Sequence, residues 1–168
     1  MNNLKSNLVL IGMPAVGKST VGVVLAKHLG LNFVDTDLLI QANSGCRLQE
    51  LIDTEGLATF LQHEEQALVT LSAQRSVIAT GGSVIYSPAG MDALRQNGHI
   101  IYLEISLDQL KQRLADLGSR GVVIEKNQSL EDLYASRTRL YRQYAEQTIA
   151  CDRLTPGQVV DKIAQLFP

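Results

Sequence analysis

Gly12-Met13-Pro14-Ala15-Val16-Gly17-Lys18-Ser19-Thr20 has a glycine at each end of a short loop, then a lysine and two hydroxyls. The order is that of a phosphate cradle. Glycines let successive backbone N–H groups turn inward around phosphate oxygens. A helix beginning at Lys18 would add its positive end. The lysine can reach the outer phosphates, and the serine hydroxyl can ligate Mg²⁺. A glycine-bearing turn before an ordinary helix is the bland alternative, and the agreement of motif and flanks weighs against it. Asp35-Thr36-Asp37 is a second group able to do chemistry, because paired acids beside a phosphate site can hold a metal or accept a proton. Taken singly they could equally cap a helix. Gly81-Gly82 could let backbone approach a ligand, or be a plain turn. Arg120 and Arg137 could bind anions, although a lone arginine is by default solvated. Arg137 shares a helical face with Leu133, Leu140 and Tyr141, which favours a partly buried anion site.

The elements that must carry these residues follow from periodicity. Leu8–Ile11 is a continuous apolar run, the pattern of a buried strand. Val21, Val24, Leu25 and Leu29 recur at helical spacing, and Gly30 stops that helix. Asn32–Asp35 reads as a strand that delivers the acids to its carboxyl end, the edge where open α/β sheets bind ligands. Short helices are expected at Asp37–Gln41 and Leu48–Asp53, separated by a turn at Asn43-Ser44-Gly45. A longer helix is expected from about Leu57 to Ser72, with Glu64 on its apolar face. Val77–Ala79 and His99–Ile105 are strands, and Pro88 and Leu107 open helices. Gly118–Gln128 breaks the pattern; a helix from about Leu130 to Glu146, a strand Thr148–Cys151 and a helix from Pro156 complete the chain. Strands alternating with helices predict an α/β fold, a parallel sheet with helices on both faces and right-handed crossovers.

Composition narrows the function classes. The 168 residues suit one domain, and the formal charge of −2 gives no reason to expect a nucleic-acid surface. No stretch has the length of a membrane span or of a signal-peptide core, so a cytoplasmic protein is expected. Cys46 and Cys151 are isolated and read as reduced thiols; His28, His63 and His99 form no metal motif. Without a heptad or self-complementary pattern, a monomer is the default expectation.

Three classes of phosphate-loop protein remain. A GTPase would usually carry an Asn-Lys-x-Asp segment, and Glu125-Lys126-Asn127-Gln128 has the wrong order and follows no strand. A motor ATPase usually needs more chain. A small-molecule kinase fits. In order and spacing, the loop at Gly12–Thr20, Asp35-Thr36-Asp37, Gly81-Gly82, Arg120 and Arg137-Thr138-Arg139-Leu140-Tyr141 resemble shikimate kinases over nearly the whole chain. The resemblance implies a three-layer α/β/α fold of the nucleoside-monophosphate-kinase type with a five-stranded parallel sheet. It implies one kinase domain over residues 1–168, with a substrate-binding helical region at about 37–64 and a mobile lid at about 117–128. The implied reaction is ATP-dependent phosphoryl transfer to a hydroxyl of shikimate. Gly12, Ala15, Val16, Gly17, Lys18, Ser19 and Thr20 would hold the phosphates of ATP, and Arg113 and Pro156 would flank its adenine ring. Ser19 would ligate Mg²⁺, with Asp35 behind it. Asp37 would bind the acceptor hydroxyl and take its proton. Gly81 and Gly82 would let backbone approach the acceptor, Arg137 would pair with its carboxylate, and Arg120 would close over the transferring phosphoryl group.

The chain departs from that pattern on the acceptor side. The family's arginine after the phenylalanine of the substrate-side helix is Leu61 here, while the glutamate three residues on survives as Glu64. Losing a charge-assisted contact typically weakens binding by about 1.5–3 kcal/mol. Ser83 stands for a third glycine, Gly121 for the proline after the lid arginine, and Arg139 for the proline before Leu-Tyr. Arg139 or His63 could restore the lost contact. The alternatives are a related kinase for another small hydroxylated anion, and a nucleotide-binding module without acceptor chemistry.

Overall fold

In a computed structural model that describes residues 5–117 and 127–167, the first apolar run is the middle strand of the sheet. The strands are β1 (Asn7–Ile11), β2 (Asn32–Asp35), β3 (Ser76–Ala79), β4 (Gly98–Glu104) and β5 (Gln147–Ala150). They are all parallel, in the order β2-β3-β1-β4-β5, with Leu8 opposite both Val77 and His99 and Leu10 opposite both Ala79 and Ile101. Every residue of β1 and β3 is buried, which requires cover on both faces.

The helices supply that cover. They are α1 (Lys18–Leu29), α2 (Thr36–Ser44), α3 (Leu48–Glu55), α4 (Leu57–Val69), α5 (Pro88–Asn97), α6 (Leu107–Leu117), α7 (Leu130–Tyr144) and α8 (Pro156–Leu166), with a 3₁₀ turn at Val84–Tyr86. Helix α1 packs against α8, and α4 against α5. Gly22 lets α1 lie close to the sheet: a Cβ there would meet the Phe33 ring at 2.6 Å. The ends of α7 and α8 are set locally, by the reciprocal caps Ser129–Asp132 and Thr155–Gln158.

The main core runs through the sheet and its covering helices. A second, smaller cluster of Ile40, Leu51, Phe60 and Ala67 joins α2, α3 and α4, with Leu48, Ile52, Leu57 and Leu61 packed around it. These three helices form one wall beside the carboxyl ends of the strands.

Several sequence expectations are corrected. Asn43 and Ser44 belong to α2, because Gly45 at φ 73° closes that helix one turn later than the polar run suggests. Helix α4 ends at Val69, where the N–H of Thr70 caps back onto the carbonyl of Gln66. Val24 lies off the apolar stripe and is 44% exposed. The last strand is Gln147–Ala150, and Cys151 follows it, buried and unpaired. The lid expected at about 117–128 lies for the most part outside the described residues.

Candidate active site

The phosphate loop connects β1 to α1 at the carboxyl edge of the sheet. Its two glycines are required by geometry: Gly12 has φ 149° and Gly17 φ 101°, and a Cβ on Gly12 would meet the carbonyl oxygen of Leu103 at 2.6 Å. Ala15 also holds positive φ, at 66°. Lys18 is buried, and its Nζ donates to the carbonyls of Gly12 at 2.7 Å and Met13 at 2.9 Å. Burial lowers its pKa to about 8, against the raising effect of the Asp37 carboxylate. Ser19 and Thr20 lie exposed in the first turn of α1.

Asp35 ends β2 and caps α2. Its Oδ1 accepts from the backbone N–H groups of Asp37 and Leu38, and its Oδ2 accepts the Ser19 hydroxyl at 2.6 Å. Capping therefore falls to Asp35 alone, which frees the Asp37 carboxylate. Asp37 sits largely out of water, and burial together with the Asp35 charge raises its pKa above the ordinary aspartate value.

The glycine turn is anchored next to β1: the N–H and hydroxyl of Thr80 both donate to the carbonyl of Leu10. Gly81 and Gly82 are required by space. A Cβ on Gly81 would lie 2.7 Å from Glu64 Oε1 and 2.8 Å from Asp37 Oδ1. One on Gly82 would lie 2.9 Å from both Arg137 Nη1 and Pro14 Cδ. Helix α7 closes this side. Tyr141 Oη donates to the carbonyl of Gly82 at 2.5 Å, and Arg137, one turn earlier, is 4% exposed. Arg137 Nε donates to Tyr86 Oη at 3.3 Å, and the guanidinium carbon lies 5.5 Å from the Tyr86 ring centre. Among the described residues no carboxylate is close enough to Arg137 to form an ion pair.

Asp37, Gly81, Gly82 and Arg137 thus border one cavity of about 750 Å³, within the range of small-molecule sites. Pro14 of the phosphate loop borders it too, so donor and acceptor sides share a wall. The opposite wall is α3 and α4, including Leu61.

Two contacts, made by residues the sequence already singled out, escaped the sequence reading. Glu64 is 1% exposed, its Oε2 accepts the Ser83 hydroxyl at 2.7 Å, and its Oε1 has no partner among the described residues. Burial pushes its pKa up to about 7, with the Asp37 charge adding to the rise. The departures at positions 61 and 83 therefore meet at one carboxylate. Ser83 gives Glu64 a neutral donor where Leu61 offers none. Arg113 is the second. Its Nη1 donates to the carbonyl of Val16 at 2.8 Å, which ties α6 to the phosphate loop. Nothing in the local sequence signals a contact across so many residues.

The remaining expected residues are placed as follows. Val16 is buried under the loop. Pro156 is exposed at the start of α8. Arg120 lies outside the described residues. Arg139 is exposed, His63 Nε2 lies 4.0 Å from Glu55 Oε2, and neither residue borders the cavity. No helix among the described residues is long and apolar enough to cross a membrane.

The family model described as "Shikimate kinase" matches residues 14–167. A shikimate kinase of Thiobacillus denitrificans is 37% identical over 148 residues, covering 86% of this chain and 81% of that one. One of Pseudomonas fluorescens is 36% identical over 169 residues, covering 96% and 98%. Among solved structures, shikimate kinase from Acinetobacter baumannii in complex with shikimate superposes with a TM-score of 0.88 at 32% identity, covering 98% of this chain and 93% of that one.

Proposed function

The chain belongs to the shikimate kinase family and is an ATP-dependent kinase acting on an alcohol group; on that premise we propose that the alcohol is a hydroxyl of shikimate and that the residues bordering the cavity position it. The observation that carries this reading is Arg137. A buried guanidinium without a carboxylate partner among the described residues is a costly arrangement, and an acceptor carboxylate in the cavity would complete it. A planar, two-pronged donor suits that group.

The chemistry follows from the same geometry. Phosphoryl transfer calls for alignment and charge neutralisation. The loop N–H groups and Lys18 would cradle the phosphates of ATP, and the oxygens of those phosphates would favour the charged form of a lysine that burial otherwise weakens. Asp37, at the border between loop and cavity, would accept the proton of the acceptor hydroxyl as its oxygen bonds to the γ-phosphorus and ADP departs. Its raised pKa makes it a stronger base than an ordinary aspartate. Gly81 and Gly82 leave room for the acceptor beside the backbone.

Ser19 and Asp35 fit a Mg²⁺ ion: two hard oxygens already lie 2.6 Å apart beside the phosphate loop. No cluster of three or more His, Cys, Asp or Glu able to hold a metal occurs among the described residues. Phosphate oxygens of the nucleotide would supply further ligands to the ion. When bound, it would neutralise charge on the outer phosphates.

The test is ADP release from ATP with and without shikimate. Saturable dependence on shikimate is expected. Turnover with a different hydroxylated anion and none with shikimate would refute the acceptor assignment, and ATP binding without any acceptor-dependent turnover would refute the kinase roles.

A further inference from the structure

Two arginines border the cavity among the described residues: Arg137 on α7, and Arg47 on the opposite wall immediately before α3. Arg47 is at odds with its local setting. It occupies the N-cap of α3, where Ser, Thr, Asp or Asn would accept a backbone N–H and where positive charge is unfavourable beside the positive helix end. Its side chain makes no cap. The work falls to Gln41 instead, whose Oε1 accepts the N–H of Leu48 at 3.3 Å. Arg47 is exposed and has no hydrogen bond or ion pair through its side chain among the described residues. Residues that break a local rule without structural return are expected at functional sites, and Arg47 also borders the cavity. The α4 face of the same wall, at Leu57, Phe60 and Leu61, offers an anion nothing.

We propose that Arg47 is the second cation of the acceptor site, binding the carboxylate of the acceptor from the α3 side and supplying on that wall the positive charge that Leu61 does not. The contact rests on the acceptor reading above. It is a specificity contact: it holds one end of the acceptor in place and touches neither the transferring phosphoryl group nor the nucleotide.

Steady-state kinetics of the full-length chain test it, comparing wild type with Arg47→Gln at varied shikimate and saturating ATP, and then at varied ATP. Removing one charge-assisted contact should raise the KM for shikimate roughly ten- to a hundredfold. The loss should fall in the shikimate KM and not in the KM for ATP. The uncharged methyl ester of shikimate, used as competitor, should bind wild type and Arg47→Gln alike. Adding Leu61→Arg to Arg47→Gln should recover affinity for shikimate, because the new guanidinium returns a cation to the same wall. An unchanged shikimate KM in Arg47→Gln, or an ester that loses as much affinity as the acid, overturns the Arg47 assignment while leaving the kinase reading intact. Absence of any shikimate-dependent turnover in wild type overturns the acceptor reading, and the Arg47 contact falls with it.

Discussion

Replacing Glu64 by Gln should change how stability depends on pH, in a direction the structure dictates. Glu64 is 1% exposed, and its ordinary pKa of 4.5 is pushed up to about 7, chiefly by burial. Over that interval the folded protein keeps a proton that the unfolded chain has released. The unfolded state then binds fewer protons, so the free energy of unfolding falls as pH rises. At 1.36 kcal/mol per tenfold change in proton affinity, a rise from 4.5 to about 7 corresponds to about 3 kcal/mol of stability, present below pH 4.5 and lost for the most part by pH 7. Gln has the same shape. Its amide oxygen can still accept from Ser83, and it cannot ionise. Urea unfolding of wild type and Glu64→Gln at pH 4.5 and pH 7 measures the difference. The variant should gain on wild type by about 3 kcal/mol between those conditions. Two profiles separated by a constant offset would refute the reasoning, because Glu64 would then ionise in the fold as freely as in water.

Three further outcomes are expected. Leu61→Arg should lower the KM for shikimate by roughly tenfold or more; it should also flatten the pH dependence of stability, because it gives Glu64 an i,i+3 cation, and paired kinetics and urea unfolding read both effects. Gly82→Ala forces a Cβ to within 2.9 Å of Arg137 Nη1 and Pro14 Cδ, so a loss of about 1–3 kcal/mol in stability is expected by thermal unfolding, with a raised KM for shikimate. Lys18→Ala should abolish shikimate-dependent ADP release while the fold, read by circular dichroism, persists; turnover at the wild-type rate would remove Lys18 from the reaction.

The phosphate loop was legible because its chemistry leaves little freedom in spacing: the glycines at 12 and 17 occur where positive φ is required. Strand positions were legible where both faces are buried, as in β1, whose pattern needs no tertiary context. The division of labour between Asp35 and Asp37 was not, because either acid could cap α2 and only the geometry selects Asp35. The Ser83–Glu64 pair and the Arg113–Val16 contact join distant parts of the chain, and periodicity carries no information about such partners. Arg47 escaped notice for the opposite reason. In sequence it is one more polar residue in a turn, and its oddity emerges only once α3 is seen to begin immediately after it.

The separate cluster of Ile40, Leu51, Phe60 and Ala67 has a consequence for how such a protein can change. Helices α2 and α3 draw their cohesion mainly from that small cluster, which α4 joins to the main core through Leu68, while the phosphate loop draws on the sheet. A unit with few buried apolar side chains opens locally at lower free energy than the sheet does, so its amides should exchange with solvent first. It also confines the damage from substitutions made within it. Exchanging arginine for leucine at one helix, or a capping residue for arginine at another, alters the wall that meets the acceptor without loosening the strands that aim ATP. A lineage built this way can explore new acceptors while its nucleotide machinery stays in working order.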